Sequence, residues 1–362
     1  MKWYNSKFAL LPVFFIAFLS GCGKDNGGTD IEKDESGVEI VINGGISKGP
    51  ATKGDGRIDP QGAPYAGLPP HKLDVGIVTV NYTTVNPLID QPTLAAWSGS
   101  TADITRGYFG GDGVNGPNST IITTGEIFYT SDDGMAVQKV FYDETGQHYF
   151  VRVIYPYDNA EFTQTSNGAG ILFSDMDGSN DIMCSNLGWG NLYNPEIRTG
   201  DAGTDSIIIL SHMLSLFRVN LEIEADAQGQ YGQIESVRIA GQPDEVVVDM
   251  MDPAIYASVS SSLTDYYTIG FTPFSFASLP DPTVIVPAGY VMVMPSQTFT
   301  VEIKSEKRLW LSAEIDFTTA EDPFATSAAG TIYDINLTLR EAYQMEVDIV
   351  SADEWWMDTV FD

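Results

Sequence analysis

The 362-residue sequence contains few of the residues on which most enzymes depend. Three histidines and two cysteines in the whole chain leave little for a metal site or a general base. The motifs H-E-x-x-H and C-x-x-C are absent, and no pair of carboxylates stands out as suited to glycoside hydrolysis. Cys184 lies beside apolar residues and is predicted to be a small core residue rather than a nucleophile. We therefore expect a protein that is not an enzyme, has no catalytic residues and needs no cofactor.

Basic residues are also scarce. Lysine and arginine together number 18 against 49 acidic residues, which gives a formal net charge of −31. A polyanion of this size is repelled by nucleic acid and by anionic headgroups, so we expect no nucleic-acid partner. We interpret the charge as that of a soluble, exposed surface rather than as a site for a specific cation.

The N-terminal apolar run is too short to span a membrane. It covers residues 8–19, whereas a spanning helix needs about 20 apolar residues. Lys2 and Lys7 precede the run and small residues follow it, which is the layout of a secretory signal. Residues 1–21 are therefore predicted to be a signal peptide.

The last residue of this apolar run begins the letters LSGC, at residues 19–22, which resemble a bacterial lipobox. The resemblance implies cleavage before Cys22 and acylation of that residue, and several acyl chains give stable anchoring. The alternative is a free cysteine that follows a signal peptide. Residues 22–36, rich in Gly, Asp and Glu, are predicted to be a flexible tether. The chain is then expected at the cell surface, held to the outer membrane by lipid.

Apolar and polar residues alternate along most of the remaining chain. This period is typical of strands with one face on a core and the other in water. The clearest run is FRVNLEIE at 217–224, and similar runs occupy 309–317, 335–339 and 345–349. Turn-forming letters such as SDDG, DETG and DAQG separate the runs. At about 150 residues per domain, the sequence predicts two antiparallel β-sandwiches in series.

One of the predicted strands changes phase along its length. Leu73, Val75 and Ile77 alternate first, and the alternation then continues in Val78, Val80 and Tyr82. Since a shift of one residue moves the apolar set to the other face of a strand, we expect a β-bulge here.

A short strand is predicted ahead of these runs and apart from them. In GVEIVINGGI, Val38, Ile40 and Ile42 alternate with other residues, and a loop rich in Gly and Pro follows. Such loops are accessible to proteases. Lys53 and Arg57 are candidate cleavage sites because they are basic residues in an otherwise acidic chain. The alternative is an ordinary linker.

The segment DMDGSND suggests a weak calcium site. Asp175, Asp177 and Asp181 stand at alternate positions, and their oxygens would suit a hard cation. The glycine spacing departs from that of a calcium loop, and the alternative is a solvated loop that leads into a strand.

Three aromatic residues beside a glycine-rich stretch suggest a carbohydrate-stacking platform. Trp97, Tyr108 and Phe109 would form it if they were exposed. The alternative is that they belong to the core, as most aromatic residues in a β-sandwich do.

Four features in order resemble the fimbrillins, lipoprotein subunits of the type V pili of Bacteroidetes. They are the lipobox, the segment KGPATKG, the run from VRVIYPYDNAEF through SNDIMCSNLG to IIILSHMLSLFRVNLEI, and the C-terminal TIYDINLTLREAYQMEVDIVSADEWW. The resemblance spans most of residues 19–357, and Ser211 departs from it because the family often has a basic or aromatic residue there. It implies two transthyretin-like, Greek-key β-sandwich domains, at 37–203 and 204–362.

The resemblance also implies assembly by strand exchange. In the subunits that this chain resembles, a trypsin-like protease cuts the loop after the first strand, and a strand of a neighbouring subunit fills the groove. Loss of Val38, Ile40 and Ile42 would in any case uncover an apolar slot and a sheet edge that templates pairing with another chain. The expected function is therefore that of a structural subunit of a pilus or a related adhesin. The alternative is a surface glycan-binding lipoprotein of a nutrient-uptake system.

The partners expected from this interpretation are other pilin subunits, in a homopolymer or a heteropolymer. The outer membrane is a further partner through the lipid anchor, and a host or bacterial surface ligand is the third.

Overall fold

The computed structural model describes residues 38–47, 72–82, 102–114, 121–130, 137–142, 148–158, 160–165, 168–199, 207–281, 284–318 and 326–354. All of them belong to one compact unit, Gly37–Asp362. This part of the chain is all-β, as the alternating sequence predicts.

The strands in the first half of the chain are short to medium in length. They are β1 (Val41–Ser47), β2 (Lys72–Tyr82), β3 (Ala102–Val114), β4 (Ile121–Thr130), β5 (Val137–Gln138), β6 (His148–Tyr155), β7 (Ala160–Thr165), β8 (Gly168–Phe173), β9 (Met183–Ser185), β10 (Gly188–Asn191) and β11 (Asn194–Arg198).

The second half continues in the same way. Its strands are β12 (Ile208–His212), β13 (Ser215–Ile223), β14 (Ile234–Pro243), β15 (Val246–Asp249), β16 (Ile255–Ala257), β17 (Leu263–Tyr267), β18 (Val286–Val293), β19 (Thr298–Ser305), β20 (Arg308–Asp316), β21 (Thr331–Arg340) and β22 (Gln344–Glu354).

In the described residues, helical structure is confined to single turns. The four-residue α1 (Gln228–Tyr231) follows a 3-10 turn at Ala225–Ala227, and further 3-10 turns lie at Phe276–Ser278 and Glu341–Tyr343. Within the described ranges, none of the helices combines the length and the apolar character that crossing a membrane would require.

The largest sheet closes on itself. Its ten strands follow the order β10-β11-β1-β12-β9-β6-β2-β3-β4-β5, and β1 also pairs with β4. The seven strands β1, β12, β9, β6, β2, β3 and β4 thereby form a barrel-like ring, called the barrel below. Closure is one way in which β proteins remove unpaired edges.

The barrel is a mixed sheet, so the prediction of purely antiparallel sheets is wrong in this respect. β1 runs antiparallel to β4 but parallel to β11 and β12. A parallel pair cannot be joined by a tight turn and requires a long connection. The nine strands from β2 to β10 provide most of that connection here.

The remaining strands form three sheets of four strands each. Their orders are β18-β13-β21-β22, β17-β14-β19-β20 and β16-β15-β8-β7. In β13 the predicted alternation is confirmed, because Phe217, Val219 and Leu221 are buried whereas Arg218 and Asn220 are half-buried. The other three alternating runs of the sequence lie in β20, β21 and β22.

Two hydrophobic cores explain the change of phase in β2. Leu73, Val75 and Ile77 belong to the cluster that the barrel strands enclose, and Val78 and Val80 belong to a second cluster outside it. β2 pairs with β3 and β6 without any shift of register, so the predicted bulge is wrong. The apolar set changes face because β2 is covered on both sides.

Strands on both sides of position 203/204 share a sheet and a core. β8 pairs with β15, and the buried guanidinium of Arg152 in β6 donates hydrogen bonds to the carbonyl oxygens of Met250 (2.6 Å), Met251 (3.0 Å) and Ser185 (2.6 Å). Burial lowers the pKa of Arg152. Residues 200–206 lie outside the described ranges, and the division into domains at 37–203 and 204–362 stays a prediction.

Candidate interaction site at the first strand

β1 lies between two other parts of the barrel. On one side it pairs antiparallel with β4, from Ile42 opposite Ile127 to Ser47 opposite Ile121. On the other side it pairs parallel with β11 through Val41 and Ile42, and with β12 from Gly44 to Ile46. β1 is therefore an inner strand, and its removal would leave two sheet edges without partners.

The residues before β1 extend this pairing. The amide of Ile40 donates to the carbonyl oxygen of Val140 at 2.8 Å, and the amide of Tyr142 donates to that of Val38 at 3.0 Å. Lys139 lies 3.4 Å from Glu39 on the outer side. Residues 38–47 are thus hydrogen-bonded along their length.

The apolar residues of this segment reach the barrel core to different degrees. Ile40, Ile42 and Ile46 are 5%, 0% and 1% exposed and pack with the enclosed cluster, whereas Val38 is 37% exposed. Each fully buried isoleucine stabilises by about 1.5–3 kcal/mol relative to an exposed one. The three together contribute about 5–9 kcal/mol, an upper bound because unfolded chains already bury some surface.

The opposite face of β1 carries a small polar network. The Asn43 amide donates to Glu196 Oε1 at 2.5 Å, and the Arg198 guanidinium donates to Glu196 Oε2 at 2.8 Å. Hydrogen bonds from Arg198 and then from Asn43 lower the pKa of Glu196. Because these groups are partly exposed, the network contributes little to stability, and its main effect is to fix the register of β1 against β11.

The structure places the predicted site residues in two groups. Val38, Ile40 and Ile42 lie in the described segment and have the surroundings given above. Cys22, Lys53 and Arg57 lie outside the described residues, as does Trp97.

The aspartates of the DMDGSND segment point in different directions. Asp181 is buried, and both of its oxygens lie within 3.1 Å of His212 Nδ1. Asp177 instead accepts hydrogen bonds from the backbone and hydroxyl of Ser179 on the surface. Within the described residues, no three acidic, histidine or cysteine side chains are grouped as metal ligands.

The predicted aromatic platform loses one of its members. Phe109 is 0% exposed and belongs to the cluster inside the barrel, which confirms the core interpretation for this residue and excludes it from an exposed platform. Glycines on either side made the segment resemble a surface loop, but Phe109 lies in β3 and pairs with Leu73 and Ile127. Cys184 is buried as predicted, and burial raises the pKa of its thiol to about 11.

Two residues of the site were not identified from the sequence. Ile46 continues the buried alternation after Ile42, and Gly44 lies between them on the same face. The signal was present in the letters INGGI, where a glycine stands in phase with the isoleucines.

Comparisons with known proteins give structural neighbours only. No described protein family matches the chain, and no curated protein is similar to it in sequence. Among solved structures, a candidate cell adhesion protein from Bacteroides ovatus has a TM-score of 0.48 at 10% identity, covering 89% of this chain and 99% of its own.

Two further solved structures have names of the same kind. A candidate cell adhesion protein from Bacteroides uniformis has a TM-score of 0.43 at 12% identity, over 88% of this chain and 98% of that one. A fimbrial protein from Bacteroides vulgatus has a TM-score of 0.38 at 10% identity, over 87% and 99%.

Proposed function

We propose that this chain is a structural subunit of a cell-surface pilus or a related adhesin, assembled by exchange of β1 for a strand of another subunit. The observation that carries the proposal is the place of β1. It is hydrogen-bonded to different strands on its two sides, and three isoleucines in or next to it fill the barrel. A strand so placed is replaceable by another strand that offers the same backbone groups and side chains.

A subunit built in this way would polymerise without closing. The slot lies in the barrel, and the strand that fills it would come from the next molecule, so the contact joins two different surfaces. Head-to-tail contacts of this kind generate filaments when the rotation does not close a ring. The proposal includes the transthyretin-like tandem sandwich, the lipid anchor at Cys22 and cleavage at Lys53 or Arg57.

We also propose that the protein is not an enzyme. Residues 45–49, GISKG, match the spacing of the G-x-S-x-G motif, in which the serine occupies a sharp turn from a strand to a helix. Ser47 instead lies at the end of β1 and pairs with Ile121. The alternative function in glycan binding has less support, because Phe109 lies in the core.

Limited digestion with trypsin tests the proposal. We expect one early cut at Lys53 or Arg57, located by N-terminal sequencing, followed by growth of particles in light scattering. A variant with K48Q, K53Q and R57Q, which removes all three basic residues of this loop, should resist the cut and stay monomeric, which separates cleavage from nonspecific aggregation. A clean cut followed by unchanged, monodisperse scattering would contradict assembly by strand exchange.

A further inference from the structure

We propose that the barrel slot selects its incoming strand by a glycine, and that the C-terminal strand β22 of a second copy is therefore not the strand that fills it. The pattern it must carry is apolar-x-apolar-x-Gly-x-apolar, in the positions of residues 40 to 46. This inference rests on the proposed function, since it specifies which strand can replace β1.

The selecting position is that of Gly44. Alternate residues of a strand share a face, so Gly44 lies on the same face as Ile42 and Ile46. A Cβ atom added to Gly44 would lie 2.6 Å from Cδ1 and 3.1 Å from Cγ1 of Ile127, and 3.4 Å from Cδ2 of Phe109. The barrel therefore provides pockets for side chains on either side of this position and none at it.

The two side chains that would meet a Cβ atom at position 44, Ile127 and Phe109, have little room to move away from it. Ile127 is 3% exposed and Phe109 is 0% exposed, and both belong to the enclosed cluster. Close-packed interiors tolerate added methylene groups poorly, because the neighbours must leave their preferred rotamers. A methyl group at position 44 would require the end of the Ile127 side chain to shift, and a branched side chain would not fit.

The glycine also fixes the register of the incoming strand. Gly44 is opposite Gly125 of β4 and Ile208 of β12. A slip of two residues in either direction would bring Ile42 or Ile46 to the position of Gly44, where the Ile127 side chain leaves no room for another side chain. Only one register therefore satisfies both the pockets and the closed position.

The C-terminal strand of a second copy does not meet these requirements. β22 is a sheet-edge strand in which Met345, Val347 and Ile349 alternate, but it contains no glycine. Its small residues are Ser351 and Ala352. When either occupies position 44, in a parallel or an antiparallel orientation, Asp353 or Glu354 falls on an interior position. Burial of an unpaired carboxylate there is strongly unfavourable.

Competition between synthetic peptides tests the inference. The full chain is cut in the loop between β1 and β2, and the capture of a labelled peptide of residues 38–47 is measured by fluorescence anisotropy. A Gly44→Val peptide should bind about 10- to 100-fold more weakly, the range expected for overpacking. A Val41→Ile peptide is the control, because it adds a methyl group on the half-buried opposite face of the strand and removes no hydrogen bond.

A variant of the slot makes the test reciprocal. Ile127→Ala removes the atoms that block position 44, so the cut variant should capture the Gly44→Val peptide at least as well as the wild-type peptide. A peptide of residues 344–354 should compete with neither. Equal capture of the wild-type and Gly44→Val peptides by the unaltered slot, or strong capture of the β22 peptide, would overturn the inference and leave strand exchange intact. Failure of every peptide, wild type included, would overturn strand exchange itself and the inference with it.

Discussion

Truncation of Ile42 tests whether the first strand is an integral part of the barrel. Ile42 is 0% exposed and pairs with Ile127 and Ile197 on its two sides. An isoleucine-to-alanine change at a fully buried site costs about 2–5 kcal/mol, since it removes apolar contacts and leaves a cavity. Val38 is 37% exposed, so Val38→Ala is expected to cost less than about 1 kcal/mol.

Hydrogen exchange of the uncut chain is the suitable assay because it reports local opening. In Ile42→Ala, amides of β4 and β12 that face β1 should lose protection by about 30-fold to several thousand-fold, the equivalent of 2–5 kcal/mol. The sheet β17-β14-β19-β20 should keep its protection and serves as an internal control. Equal effects of Ile42→Ala and Val38→Ala, or unchanged exchange in β4, would refute the placement of β1 in the barrel.

Three further predictions concern groups outside the slot. Asp181→Ala should lower the melting temperature by the equivalent of about 1–3 kcal/mol, because it removes the carboxylate that is hydrogen-bonded to the buried imidazole of His212. Asp177→Ala, on the surface, should change the melting temperature little. Equal shifts for the two variants in a calorimetric scan would contradict this prediction. The thiol of Cys184, with its pKa raised to about 11, should resist iodoacetamide at pH 8 in the folded protein and react with it in denaturant. Mass spectrometry measures this labelling. Rapid labelling of the folded chain would contradict the prediction. The pKa of Glu196 is lower in the folded than in the unfolded chain, so its stabilising effect is present above the unfolded pKa of about 4.5 and is lost as the pH falls through the folded pKa. The urea midpoint of Glu196→Gln should therefore fall less steeply with decreasing pH than that of the wild type. An unchanged slope on the acid side would count against the effect.

The alternation of apolar residues predicted the strands where only one face is buried. β13 is the clearest case, because its buried and half-buried residues follow the sequence pattern one by one. In β2 the same reasoning failed. The change from Ile77 to Val78 indicated a bulge only on the assumption of one core, whereas two cores cover the strand from opposite sides.

The candidate site was visible in the sequence only in part. Ile40 and Ile42 were identified from their spacing, but their partners are Val140, Ile127 and Ile197, which no local pattern connects to them. For Phe109 the sequence left both a surface platform and the core open. The glycines on either side of it are typical of a loop. In the structure, one of them, Gly107, lies in β3 against Ile77, where an added Cβ atom would be 2.6 Å from Ile77 Cδ1.

The place of β1 has a consequence for the order in which the chain can fold. This strand is the first of the described strands along the chain, yet on one side it pairs with β12, whose Leu210 is opposite Ile46. A contact across so large a separation along the chain forms slowly, because most of the intervening strands must be in place before it is possible. β1 is thus expected to be synthesised before the other described strands but to dock among the last of them, so each newly made molecule passes through a state in which the barrel is still open.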